Sequence, residues 1–167
     1  MTISENTFIG EYKYSLDSKG RINIPSKFRQ CLSIENDSTF VISRGIDLCI
    51  YAYPLITWQG IEHNLKNLSS LSSMNRSFIR NTVRYASPSK YDKQGRISLT
   101  QALIDFAKLD KEILIIGVVN KLEIWDPDQL KLIDDKSKSK SLTRISPHCF
   151  NCKLKHVSKT SDEVMPL

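Results

Sequence analysis

The chain has no apolar run approaching the roughly 20 residues of a membrane-spanning helix. Its opening, MTISENTFIG, holds no basic stretch followed by an apolar one, so no signal peptide is expected. Four cysteines without framework-like spacing argue against a disulfide scaffold and for a reducing compartment, hence a cytoplasmic protein. G-x-S-x-G, the phosphate-binding loop and the dinucleotide fingerprint are all missing. Of three histidines only His63 falls between residues 11 and 129, and no Cys or Ser motif accompanies it. No catalytic residue can be nominated, so no enzyme, no cofactor and no small-molecule substrate is expected.

What is present suffices for a core: 167 residues, 40% of them hydrophobic, enough for one ordinary domain or two small ones. The net charge is +6, but residues 131–167 hold eight Lys/Arg against four Asp/Glu, a net +4. Net charge therefore says little about the rest of the chain, where local clusters matter more.

One phrase is written twice. Residues 17–25 read DSKGRINIP and residues 92–100 read DKQGRISLT. Ahead of the first copy, Tyr12, Tyr14 and Leu16 alternate with polar residues, the period of a half-buried strand. Asp17 can start a turn by accepting backbone hydrogen bonds, and Gly20 supplies a positive φ. Ile22 and Ile24 alternate in a second strand, Pro25 suits a helix start, and Phe28, Cys31 and Leu32 mark a short helix face. The second copy repeats this with Asp92, Gly95, Ile97 and Leu99, and Thr100 stands as a candidate N-cap before Leu103, Ile104, Phe106 and Ala107. Each helix leads to an apolar run, residues 40–42 or 113–116, and then to another strand. Cys31 and Cys49 read as small core residues. A fold needs the Asp and Gly of each turn. The recurrence of Arg21 and Arg96 directly after the glycines is what turn chemistry leaves unexplained.

Between the copies, Trp58, Ile61, Leu65 and Leu68 lie at helical spacing behind Pro54. Ser69–Ser73 then offer N-cap hydroxyls to a second helix from Met74 to about Tyr85. Met74, Phe78 and Tyr85 share one face of it, and Arg76, Arg80 and Arg84 occupy the opposite one, as a solvated surface or a contact for an acidic partner or a phosphate backbone.

FIGEYKYSLDSKGRINIP, the second DKQGR, and NKLEIWD at residues 120–126 together resemble the MraZ family of the AbrB-like superfamily. The resemblance covers residues 8–130, with both motifs in the family's order and spacing. It implies an α+β fold: two tandem AbrB-like, swapped-hairpin units forming a compact β-barrel. The units are residues 11–57 and 86–129, with a helical connector at 58–85, an N-terminal extension at 1–10 and a basic, flexible tail at 130–167. The resemblance further implies a ring-shaped homo-oligomer and sequence-specific binding to double-stranded DNA at repeated promoter sites. Control of the division and cell-wall gene cluster and association with the nucleoid go with it. It assigns DNA contact to Arg21 and Arg96, with Asp17, Gly20, Asp92 and Gly95 as turn formers.

Charge agrees on independent grounds. Lys13, Lys19, Arg21, Lys27 and Arg29 stand against Glu11 and Asp17, a net +3 over residues 11–30. Lys90, Lys93 and Arg96 surround Asp92. The candidate DNA-contacting residues are therefore Arg21, Arg96, Lys19, Lys93, Lys27 and Arg29, since Lys and Arg neutralise phosphates and Arg can pair with guanine through two hydrogen bonds. Two other readings compete: a ring-forming scaffold for protein partners, with DNA affinity incidental, and the DNA-binding half of a toxin–antitoxin pair. Against the second stands the long insert, because such antitoxins carry one AbrB-like unit. His148, Cys149, Cys152 and His156 have ligand types that suit zinc, but nine residues with no second cluster do not make a closed site, so no metal is expected.

Overall fold

The computed structural model describes residues 5–141. Residues 5–131 belong to one compact unit; from Leu132 on, the described part is the remainder of a helix. The elements run β1 (Phe8–Ser15), β2 (Arg21–Asn23), α1 (Ser26–Cys31), a 3-10 turn (Ile34–Asn36), β3 (Thr39–Arg44), β4 (Ile50–Pro54), α2 (Leu55–Lys66), α3 (Ser73–Val83), β5 (Ser87–Lys90), β6 (Arg96–Ser98), α4 (Gln101–Ala107), β7 (Glu112–Val119), β8 (Leu122–Trp125) and α5 (Pro127–Ser141). No helix among the described residues is long and apolar enough to cross a membrane.

The sheet order is β1-β7-β8-β4-β3-β5, antiparallel throughout, with β2 and β6 forming a separate ribbon. Exchange β1 with β5, β3 with β7 and β4 with β8, and the order returns reversed. The repeat is therefore a pseudo-two-fold, and each half lends its first strand to the other. β1 pairs with β7, and β5 pairs with β3. This is the expected α+β swapped-hairpin arrangement. The barrel is not closed by hydrogen bonds among the described residues: the ladder ends at β1 on one side and β5 on the other.

The core gathers both halves. Phe8, Ile22, Ile24, Phe28, Phe40, Ile42, Ile97, Leu103, Ile113 and Ile115 are all buried in one cluster. Phe28 of α1 is met edge-on by Phe8 at 5.6 Å and by Tyr12 at 5.1 Å between ring centroids. β1 thus begins at Phe8, inside the stretch read as an extension, because Phe8 has an apolar site to fill. Gly10 stands opposite Gly117, and a Cβ on Gly117 would lie 2.6 Å from the Phe8 carbonyl carbon. Glycine is what lets β1 approach β7 there. Cys49 is buried, and burial pushes its thiol up to about 12.

The connector forms its two helices. Ser72 caps α3 by accepting a hydrogen bond from the Asn75 N–H at 3.3 Å. Trp58 and Leu65 bury one face of α2, whereas α3 buries no residue at all. One sequence expectation holds in position only, and another needs correction. Thr100 occupies the N-cap position of α4, but its side chain accepts no capping hydrogen bond. Composition predicts a flexible tail from residue 130, yet α5 continues to Ser141. Asp126 starts that helix by accepting from the N–H groups of Asp128 and Gln129, both at 3.0 Å, with Pro127 at the first helical position.

Candidate nucleic-acid interface

The two D-x-x-G-R segments fold into the same turn. Asp17 Oδ1 accepts from the backbone N–H groups of Lys19 at 2.8 Å and Arg21 at 2.9 Å. Asp92 Oδ1 does the same for Gln94 at 2.9 Å and Arg96 at 3.0 Å. Gly20 and Gly95 take φ values of +71° and +80°, which only glycine adopts cheaply.

The arginines have a use in the turn that spacing alone did not suggest. Arg21 Nε donates to Asp17 Oδ2 at 2.8 Å, and its Nη2 lies 2.7 Å from the same oxygen. Arg96 Nε donates to Asp92 Oδ2 at 2.9 Å, and its Nη2 at 2.7 Å. Turn chemistry therefore does account for part of the recurrence: each guanidinium closes back on its own aspartate. The clue was the i,i+4 spacing of opposite charges. Both carboxyls are held below the usual carboxylate range, Asp17 chiefly by the Arg21 backbone N–H and Asp92 chiefly by the Arg96 side chain.

Long-range pairing brings the turns together. In the β2–β6 ribbon Arg21 faces Ser98, Ile22 faces Ile97 and Asn23 faces Arg96. Ile22 and Ile97 are buried, so Arg21 and Arg96 share the opposite face. They are diagonal neighbours, which places their Cα atoms about 7–8 Å apart. Both side chains remain about a third exposed, 29% for Arg21 and 32% for Arg96. Each turn is pinned to the other half. The Ile24 N–H donates to the Gly95 carbonyl at 2.9 Å, and the Leu99 N–H donates to the Gly20 carbonyl at 2.8 Å.

The other candidates separate. Lys19 and Lys93 are exposed at the turn tips, and Lys27 is exposed on α1. Arg29 is half-buried beneath the second turn instead. Its Nε donates to the Ile24 carbonyl at 3.1 Å, its Cζ lies 5.9 Å from the Tyr91 ring centroid, and a Cβ on Gly95 would collide with it. Arg76 is tied to the connector, donating to the carbonyls of Ser70 at 2.7 Å and Leu71 at 2.9 Å. Arg80 and Arg84 stay exposed. A cleft of about 470 Å³ opens where the end of β1 meets the start of β7 and Pro127, lined by Lys13 and Lys111 together with Glu112. His148, Cys149, Cys152 and His156 lie outside the described residues.

The model of the family described as "MraZ protein, putative antitoxin-like" matches residues 7–81 and 83–150, one match for each half. The chain belongs to the MraZ family. It is 46% identical over 119 residues to Transcriptional regulator MraZ of Pediococcus pentosaceus, covering 71% of this chain and 80% of that one. The protein of the same name from Natranaerobius thermophilus is 44% identical over 122 residues, 73% of this chain and 82% of its own. That from Limosilactobacillus fermentum is 39% identical over 132 residues, 79% and 90% respectively. The MraZ match spans both turns, the exchanged strands and the connector.

Proposed function

We propose that the protein is a transcription regulator that binds double-stranded DNA sequence-specifically, as a ring-shaped homo-oligomer, at repeated promoter sites of the division and cell-wall gene cluster. The observation that carries this reading is the ribbon: two arginine-bearing turns on one face, flanked at their tips by Lys19 and Lys93. The relatives' name, transcriptional regulator, supports the regulatory role. A pair of tips makes few contacts, so a single chain should bind weakly. Repetition around a ring converts weak contacts into avidity on spaced sites. The apolar residues that α3 and its approach leave exposed, Leu71, Met74 and Phe78, offer a surface for the neighbouring copy. Such a regulator works on the nucleoid, and the reading gives it no catalytic role.

That same apolar surface also favours the second reading, a ring-forming scaffold for protein partners. One experiment separates them. The purified full chain is mixed with sheared genomic DNA of its source, and bound fragments are sequenced. Enrichment of one promoter region with spaced repeats supports the regulator. Recovery of fragments in proportion to their abundance leaves the scaffold. Light scattering on the same sample should show an assembly; a monomer at micromolar concentration would remove the source of avidity.

A further inference from the structure

The two turns share a backbone and a degree of exposure, but their arginines differ in what remains free. A guanidinium has five N–H donors, arranged on a side edge (Nε and Nη2) and an outer edge (Nη1 and Nη2). Asp17 takes the side edge of Arg21. The outer edge of Arg21 meets no acceptor among the described residues. Asp92 takes the side edge of Arg96, and Gln94 Oε1 then accepts from Nη2 at 2.8 Å, which occupies the outer edge. The residue in the place of Gln94 in the first turn is Lys19. A lysine has no acceptor to offer, so the first turn cannot close on its own arginine in this way. The difference traces to sequence: D-S-K-G-R against D-K-Q-G-R.

Guanine presents O6 and N7 side by side, and recognising both takes two donors from one edge. Arg21 can supply them while Asp17 keeps its guanidinium aimed. Arg96 must first give up Gln94. A phosphate asks less, one N–H and a positive charge, and Nη1 of Arg96 can meet that unaided. We infer that Arg21 reads guanine and sets specificity, while Arg96 holds the phosphate backbone and sets affinity. This rests on the DNA-binding reading above.

The probe is a fragment selected by the protein itself from its source genome, made also with 7-deazaguanine, which lacks the N7 acceptor. A random duplex of the same length serves as reference. Wild type should prefer the natural fragment to the 7-deazaguanine form by about 5-fold for each guanine read, the lower end of what a bidentate pair is worth, because O6 still accepts one bond. Arg21→Gln should erase that preference. Arg96→Gln should keep it, while binding both forms more weakly and with a salt slope lower by about one. Gln94→Lys, which gives the second turn the first turn's residue, should enlarge the preference. Thermal melts confirm that each variant folds. Equal loss of preference in Arg21→Gln and Arg96→Gln overturns the division of labour, as does its loss in Arg96→Gln alone. Wild type that fails to distinguish the fragment from random duplex overturns the DNA reading itself, a separate result.

Discussion

The same strand exchange is made twice in this fold, and the two instances are not equal. β1 pairs with β7 over eight residues, from Phe8 opposite Val119 to Ser15 opposite Glu112. β5 pairs with β3 over four, from Ser87 opposite Ile42 to Lys90 opposite Thr39. The longer strand also carries the anchor: Phe8 is fully buried between Phe28 and Phe40. β5 brings Pro88 and Ser89 and no large apolar side chain. The hydrogen-bond scheme has kept the two-fold, while the side chains that stabilise it have diverged. The N-terminal strand should hold the halves together far more firmly than its counterpart.

The largest expected effect tests that difference. Phe8→Ala should cost about 3–5 kcal/mol, the usual range for removing a fully buried phenylalanine. Gly117→Ala acts at the same place by overpacking, forcing β1 away from β7 at about 1–3 kcal/mol. Ser89→Ala in β5 loses only the hydrogen bond from the Ser98 N–H, and about 1 kcal/mol is the expected loss. Urea unfolding of the three variants settles the order. A Ser89→Ala loss equal to that of Phe8→Ala would mean the two exchanges are equivalent after all.

A second contrast lies beneath the turns. Gly20 sits over the Leu99 carbonyl and the Ile104 side chain, with a Cβ expected 3.1 Å and 3.2 Å from them. Gly95 sits over Arg29, whose Nε would be 2.5 Å from a Cβ. Either glycine replaced by alanine is strained by its positive φ, at about 1–3 kcal/mol. The remedies differ. Arg29 is flexible and can swing away, at the loss of its bond to the Ile24 carbonyl. Hence Arg29→Ala should relieve part of the Gly95→Ala penalty and leave Gly20→Ala untouched. A double-mutant cycle should show coupling of about 0.5 kcal/mol or more for the first pair and none beyond error for the second. Additive losses in both pairs would show that Arg29 does not bear on the turn.

Much of this was legible in the residues. Alternation at Tyr12 and Tyr14, the turn pair Asp17 and Gly20, and the apolar runs into β3 and β7 are local signals, and local signals survive folding. The resemblance supplied the exchange itself, which no local pattern encodes. Arg29 under Gly95 could not be seen, because it depends on two segments from different halves meeting. The same holds for Asn36, which is buried and bonded to Asn6 and to the Ile56 N–H across the connector's start. The Arg–Asp closure is visible as i,i+4 charges, but nothing local demands it, since Asp and Gly already complete the turn chemistry. Helix α5 also had its signal in Asp126 and Pro127. The Lys/Ser-rich composition after it points the other way and masks that signal.

The smallest effect distinguishes the turns by their aspartates. Both carboxyls titrate lower in the folded chain than in an unfolded one, so each contributes stability. That contribution is complete above the unfolded value of about 3.8. It is lost as pH falls through the folded value. The causes are ordered differently. The Arg21 backbone N–H is the main influence on Asp17, and a side-chain change leaves that N–H in place. The Arg96 side chain is the main influence on Asp92. Arg96→Gln should therefore move Asp92 up toward the usual carboxylate value, and Arg21→Gln should move Asp17 less. Stability near neutral pH should fall more for Arg96→Gln, and that gap should narrow below about pH 4, where the aspartates of both variants and of the unfolded chain take up protons. Carboxyl-carbon NMR titrations of the two variants read the shifts directly, with thermal melts across the same range. An Asp17 shift as large as that of Asp92 would mean that the two arginines hold their turns alike, and the division of roles between them would then rest on the outer edge of Arg21, which meets no acceptor among the described residues.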